Sequence, residues 1–331
     1  MIRKILALVL AVLMVIGLFA GCGQAKKTQE TESAKQTEQT QSTEESGKKL
    51  RFGVVLHSLN GSFFMKLKEG AEAAGKALGV EVLVTGPATQ QNLSEQVNML
   101  ENYINSGVDG VATVLWDQEG FNNVIKQAHD KGIPFVGFNA DAPNSGRDAM
   151  VGQDSEAAGY AVGKYMFEKV MGGKGKYIIA TCAPTETPLV LRMNGIKRAQ
   201  QEYPNIELIT TIDIGTDLTK AVGIIENAYM AHPDVNAFIG TDVFSEAIGT
   251  FINSNNLKGK VYGGGFDLTP GTLKHIKNGD MQMSCGQNPF LQGFYAVVQL
   301  YQVKALGYPA IDVNTGMAIV DASNVDATEP E

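Results

Sequence analysis

Hydrogen-bonding side chains recur where the apolar runs of this chain end. His57-Ser58-Leu59-Asn60, Asp117-Gln118, Asn139-Ala140-Asp141, Thr241-Asp242, Asp267 and Gln287-Asn288 each follow a short stretch that reads as a β-strand. Such groups suit directional recognition of a polar solute, and equally the capping of the helices that follow strands. Catalytic groupings are harder to find. There is no nucleophile elbow, Walker loop, dinucleotide glycine fingerprint or HExxH zinc helix. His57, His129, His232 and His275 are scattered; His129 ends a helical run and His232 precedes Pro233 in a turn. Of the four, His57 falls at a strand end, as a hydrogen-bond donor without a nucleophile to activate. Cys182 and Cys285 lack metal-ligand spacing and read as buried thiols or as a disulfide. A binding protein without catalytic residues, metal or cofactor is therefore expected.

The elements that position these residues alternate. Gly53 to Leu56 is a short apolar run, followed by Phe64, Leu67, Ala71, Ala74 and Leu78 at helical spacing and Gly79 as a stop. Strands over 81–85, 110–115 and 135–138 enclose helices over 93–104 and 121–129, which gives βαβαβαβ and a parallel, doubly wound sheet. The pattern restarts with strands over 176–181, 207–212, 237–240, 261–264 and 281–284. Helices near 157–170, 191–202, 218–230, 245–253 and 270–277 alternate with them. The fold class expected is α/β, with two similar lobes; periodicity does not decide whether they share a sheet. In open α/β sheets ligands bind outside the carboxyl ends of the strands, so the strand-end residues would ring one hinged cleft.

Composition narrows the partners. The chain has 331 residues, 27 Lys and Arg against 35 Asp and Glu, and a net charge of -8. Hydrophobic residues make up 44%, enough for roughly two domains. The acidic balance argues against nucleic acid or an anionic membrane surface as partner. At the start, Arg3 and Lys4 precede an apolar run from Ile5 to Ala20, shorter than the roughly 20 residues that a spanning helix prefers. Residues 1–21 read as a secretory leader, and Phe19-Ala20-Gly21-Cys22 resembles a bacterial lipobox, which implies a lipid on Cys22. Leucine is commoner where Phe19 stands. Residues 22–48, rich in Lys, Gln, Thr, Glu and Ser, read as a disordered tether reaching about 30 Å.

Several short runs together resemble the ribose-binding group of bacterial type I periplasmic sugar-binding proteins. They are Leu59-Asn60-Gly61-Ser62-Phe63-Phe64, Gly107-Val108-Asp109-Gly110, Gly132-Ile133-Pro134, Gly152-Gln153-Asp154, Arg192 four before Ile196, Ala231-His232-Pro233-Asp234-Val235, Gly265-Phe266-Asp267 and Gln287 before Pro289. The resemblance implies two lobes joined by a three-crossing hinge: residues 49–152 plus 287–313, and 153–286 plus 314–331. It also implies site residues. Phe63 would stack on a sugar ring, with Phe64 as the more buried of the pair. Arg192, Asp267 and Gln287 would bond hydroxyls, the guanidinium offering a rigid fork of donors. For Arg192 the competing use is a surface ion pair.

The chain departs from that group where Asn139 and Ala140 replace an aspartate and arginine, and where Thr241 replaces an asparagine. Those changes put aldopentose specificity in doubt; Asp141 is placed to take over part of the role. Trp116, the one tryptophan, suits a second stacking face or a packed core position. Gly86-Pro87 resembles the rhamnose and autoinducer-2 binders of the same family, whose lysine near the first strand is absent. Repressors of the lactose type share the body but carry a DNA-binding helix pair where this chain has a leader and tether. The function expected is an extracytoplasmic solute-binding lipoprotein, a monomer that hands a sugar or polyol to an ABC permease. The alternatives are a ligand sensor coupled to a membrane chemoreceptor or kinase, or an enzyme on the same fold.

Overall fold

A computed structural model describes residues 48–331. The expected leader, Cys22 and the tether lie outside the described residues. Strands β1 (Arg51–Val55), β2 (Glu81–Thr85), β3 (Gly110–Thr113), β4 (Phe135–Phe138), β5 (Ala149–Gly152) and β11 (Val313–Asn314) build one parallel sheet, in the order β11-β5-β4-β3-β1-β2. Strands β6 (Lys174–Thr181), β7 (Asn205–Asp213), β8 (Ala237–Gly240), β9 (Tyr262–Phe266), β10 (Met283–Gly286) and β12 (Ala318–Asp321) build the second, ordered β12-β10-β9-β8-β6-β7. Here β12 runs antiparallel to β10 and the other pairs are parallel. The expected α/β class with two lobes is what the chain adopts. The chain passes between the sheets three times, at 153–154, 287–288 and 315–317.

The burial pattern explains why these strands sit at sheet centres. Strands β3, β4, β8 and β10 are buried along their whole length, as strands covered on both faces must be. The covering helices in the first lobe are α1 (Ser62–Leu78), α2 (Leu93–Asn105) and α3 (Asn122–Asp130). In the second lobe they are α4 (Ser155–Lys164, running on as a π-helical turn to Val170), α5 (Thr187–Gln200), α6 (Leu218–Ala231), α7 (Glu246–Ser254) and α8 (Pro270–Asn278). Helix α9 (Pro289–Leu306) returns to the first lobe, where it packs on α1 and on β3, β4 and β5.

In each lobe one helix pair approaches so closely that only glycine fits between them. A Cβ on Gly70 of α1 would fall on the Phe290 carbonyl of α9, and one on Gly293 of α9 on the Leu67 carbonyl of α1. The same reciprocity joins α4 to α5, where Gly159 faces the Arg192 carbonyl and Gly195 the Glu156 carbonyl. These contacts fix the helices that carry Phe63 and Arg192.

Candidate functional site

The carboxyl ends of both sheets meet at a cavity with an empty volume of about 490 Å³, open solvent at its mouth included. Residues from both lobes line it: His57, Phe63 and Asn139 from the first, Glu186, Arg192 and Asp267 from the second. Gln287 joins them from the second crossing. Across the cleft, Gln91 Nε2 donates to Glu186 Oε1 at 2.9 Å and Gln118 donates to the Thr187 hydroxyl.

Arg192 is the most constrained member. It is 3% exposed, so the surface ion pair does not describe it. One turn of backbone below the glycine contact, its guanidinium lies 4.1 Å from the Phe266 ring centroid and donates to the Thr241 carbonyl at 2.8 Å and to Gln153 Oε1 at 3.0 Å. Its Nε–H has no partner among the described residues. A buried charged donor without an acceptor costs on the order of 1–3 kcal/mol or more, which a ligand oxygen would relieve. Gln153 in turn donates to the Gly286 carbonyl at 3.1 Å and the Gly316 carbonyl at 3.3 Å, tying all three crossings to this arginine.

The carboxylates complement it. Asp267 is 2% exposed and accepts from Gln287 Nε2 at 2.6 Å through Oδ1. Burial raises its pKa to about 7, against the opposing pull of Arg192 and the Gln287 bond. Burial also raises Glu186. Asp242, raised likewise by burial, is occupied structurally: it accepts from the amides of Cys182 (2.8 Å) and Phe244 (2.9 Å) and from the Thr241 hydroxyl (3.1 Å). Asn139 Nδ2 donates to Gln287 Oε1 at 3.2 Å and Gln292 Oε1 at 3.1 Å. Asn139 and Asp267 both end their strands with left-handed backbone, φ 66° and 67°, a conformation that Asn and Asp tolerate better than other side chains.

The first lobe supplies rings. Phe63 and Phe64 meet edge to face at 5.4 Å, and both line the cavity. Phe63 is not the more exposed of the two: they stand at 5% and 6%, because the opposite lobe covers both. His57 Nε2 accepts the Gln91 amide at 2.9 Å, and burial lowers its pKa to about 4. A neutral imidazole whose lone pair is already engaged serves as a wall and a Nδ1–H donor, not as a base.

Three expected positions stand back from the cavity. Trp116 stacks on His57 at 5.2 Å, 18° from parallel, and its indole N–H donates to Gln96 Oε1 at 2.8 Å, so it supports the wall from behind. Thr241 is fully buried and reaches the site through its carbonyl, which holds Arg192. Asp141 pairs with Arg147, Oδ2 to Nη2 at 2.8 Å, and lines a separate hollow on the hinge side. Glu186 and Phe244 are members that the motifs did not single out; Gln153, inside the Gly152-Gln153-Asp154 run, lies outside the cavity lining and supports it by holding Arg192. Cys182 and Cys285 are free thiols, and burial raises both. A Thr250-His275-Asp280 relay, with contacts of 3.2 and 3.0 Å, packs between α7 and α8 with none of its residues in the cavity. Among the described residues no cluster of three or more His, Cys, Asp or Glu is placed to hold a metal ion.

Comparison with known proteins places this architecture. The pattern of the periplasmic binding protein domain matches residues 52–307. The xylose/arabinose-binding protein of Sulfolobus acidocaldarius is 25% identical over 288 residues, 81% of this chain and 70% of the relative. The ribose import binding protein of Bacillus subtilis is 27% identical over 252 residues, 75% of this chain and 80% of the relative. Among solved structures, a glucose-galactose binding protein from Geobacillus stearothermophilus superimposes with a TM-score of 0.80 at 28% identity, covering 84% of this chain and 99% of that one. An ABC transporter solute binding protein from Burkholderia graminis in complex with D-arabinose gives 0.80 at 29%, covering 85% and 98%. With two doubly wound lobes, three crossings and a polar cavity between them, the chain belongs to the periplasmic binding protein family, in its ribose-binding group.

Proposed function

We propose that this protein is an extracytoplasmic solute-binding lipoprotein that captures a sugar or polyol between its lobes and presents it to an ABC permease. The observation that carries the reading is buried Arg192, which lines a cavity with carboxylate, amide and aromatic groups and whose Nε–H has no partner among the described residues. A sugar offers what each of these lacks: oxygen for the arginine, hydroxyl protons for Asp267 and Glu186, and an apolar C–H face for Phe63. The sugars named for the relatives support the same class of solute. His57, neutral and engaged by the Gln91 amide, is not set up to act as a base.

A thermal-shift screen over neutral mono- and disaccharides, polyols and nucleosides tests this. A true ligand at about 100 times its dissociation constant stabilises by roughly 2.7 kcal/mol. At least one sugar should raise the melting temperature and be recovered unchanged; no shift with any carbohydrate, or steady product formation, would reject the reading. The lipoprotein part predicts that mass spectrometry finds a mature N-terminus at lipidated Cys22 and that Cys22→Ser loses it.

A further inference from the structure

The cleft continues past Phe63. A second hollow, with an empty volume of about 750 Å³, adjoins the buried cavity where α1 begins. The two share Phe63, Phe64, Gln90, Val243 and Phe244, so one wall of rings borders both. Beyond that wall the outer hollow adds Asn60, Thr216, Leu218, Glu246 and Thr269, again from both lobes.

Its chemistry repeats that of the inner cavity. Leu218, at the first position of α6, leaves an apolar side chain 37% exposed beside half-buried Val243 and Phe244. Around this floor stand acceptors with free capacity. Asn60 gives its Nδ2 to the Ala88 carbonyl at 2.6 Å, and its Oδ1 accepts no bond from the described residues. Glu246 takes the Thr269 hydroxyl at 2.6 Å on Oε2 and has Oε1 to spare. An apolar face rimmed by acceptors is what a pyranose ring needs, with its C–H face on one side and hydroxyl donors at its edges. The hollow on the opposite, hinge side differs. It shares just Asn139 and Pro188 with the inner cavity, is lined by Asp141, Asp154 and Asp312, and has no aromatic side chain.

We propose that the cleft binds a ligand of two sugar units, with one ring enclosed by Arg192, Asp267 and Gln287 and the second lying in the outer hollow against Phe244 and Leu218. This rests on the sugar reading of the inner cavity and extends it. The glycosidic linkage passes beside Phe63, one of the three rings common to both hollows.

Calorimetry on the full chain decides the matter, with D-glucose, D-galactose and D-xylose compared against cellobiose, lactose, melibiose and xylobiose. One disaccharide should bind at least tenfold tighter than either of its component sugars. Leu218→Asp, an exposed first-turn change that a helix start accepts, should remove that tenfold and leave monosaccharide affinity within twofold. Equal or weaker binding of every disaccharide overturns the second subsite while leaving the inner one standing. So does a disaccharide affinity untouched by Leu218→Asp, including the case where that variant impairs uptake alone, which would assign the leucine to permease docking. If no sugar of either length binds, the inner-cavity reading itself is wrong and the extension falls with it.

Discussion

The two lobes meet the cavity with unlike walls. The first presents His57, Phe63, Phe64, Gln90 and Asn139, none charged at neutral pH once burial has lowered His57 to about 4. The second presents Glu186, Arg192, Asp242 and Asp267 beside apolar Pro188, Leu189, Val243 and Phe244, with raised carboxyl values and a guanidinium missing one partner. What sets the second wall apart is charge. Under the proposed sugar function, the rings of the first lobe would meet the sugar's C–H face and the charged groups of the second would discriminate among hydroxyl patterns.

The sharpest way to break this asymmetry is Arg192→Ala. Hydrogen bonds to charged groups contribute roughly 1.5–3 kcal/mol each, so affinity should fall by about ten- to more than a hundredfold. Calorimetry with the identified sugar measures it, and wild-type affinity would show that the charged wall is not the discriminating one. Phe63→Ala attacks the other wall. Loss of stacking and buried ring area should weaken binding by about tenfold for every sugar in the screen, without reordering their ranking. A changed ranking would mean that the ring wall also selects.

A third, smaller effect concerns pH. The carboxyl of Asp267 titrates near 7 in the fold, above its ordinary unfolded value, so the folded chain holds the extra proton between those two limits. Its contribution to stability is therefore complete below about pH 4 and is lost as pH rises through about 7. Asp267→Asn should flatten that part of the melting-temperature profile. A variant profile parallel to wild type from pH 4 to 7 would remove Asp267 as the source. Smallest of all, Trp116→Phe should leave affinity within about twofold and lower stability by about 1 kcal/mol through the lost bond to Gln96. A tenfold loss of affinity would return the indole to the ligand face.

Much of this was legible in the sequence because strands and amphipathic helices carry their own periodicity. Strands β2, β4 and β8 run over the residues that the apolar runs indicate. Helix α9 did not announce itself: Phe290, Leu291, Phe294, Tyr295, Val297 and Val298 point to several sides, so a 3.6-residue stripe is blurred. Strand β11, two residues long, is too short to stand out, and it exists because β5, from far back along the chain, accepts it. At the site, strand-end position identified Arg192's neighbours only to within a residue. Of the Thr241-Asp242 pair, the aspartate lines the cavity while the threonine lends a carbonyl. Glu186 carried no signal, since its role arises from closure against Gln91, a contact between lobes. Trp116 was ambiguous from its position alone, and the nearby Gln96 amide that takes its N–H settles the side it faces.

The glycine seam between α1 and α9 also sets a schedule. Synthesis delivers α1 early, yet its Gly70 face has no partner until Gly293 emerges, after the whole run from β6 to β10 has been made. Five of the second lobe's six strands, β6 to β10, are contiguous in the chain, while the first lobe needs a helix from the far side of its neighbour and the two-residue β11 after that. Contacts so distant in sequence form slowly. The lobe begun first thus waits until its neighbour is nearly made, and during that interval the apolar back of β3 and β4, which α9 will cover, stays open to whatever escorts the unfinished chain.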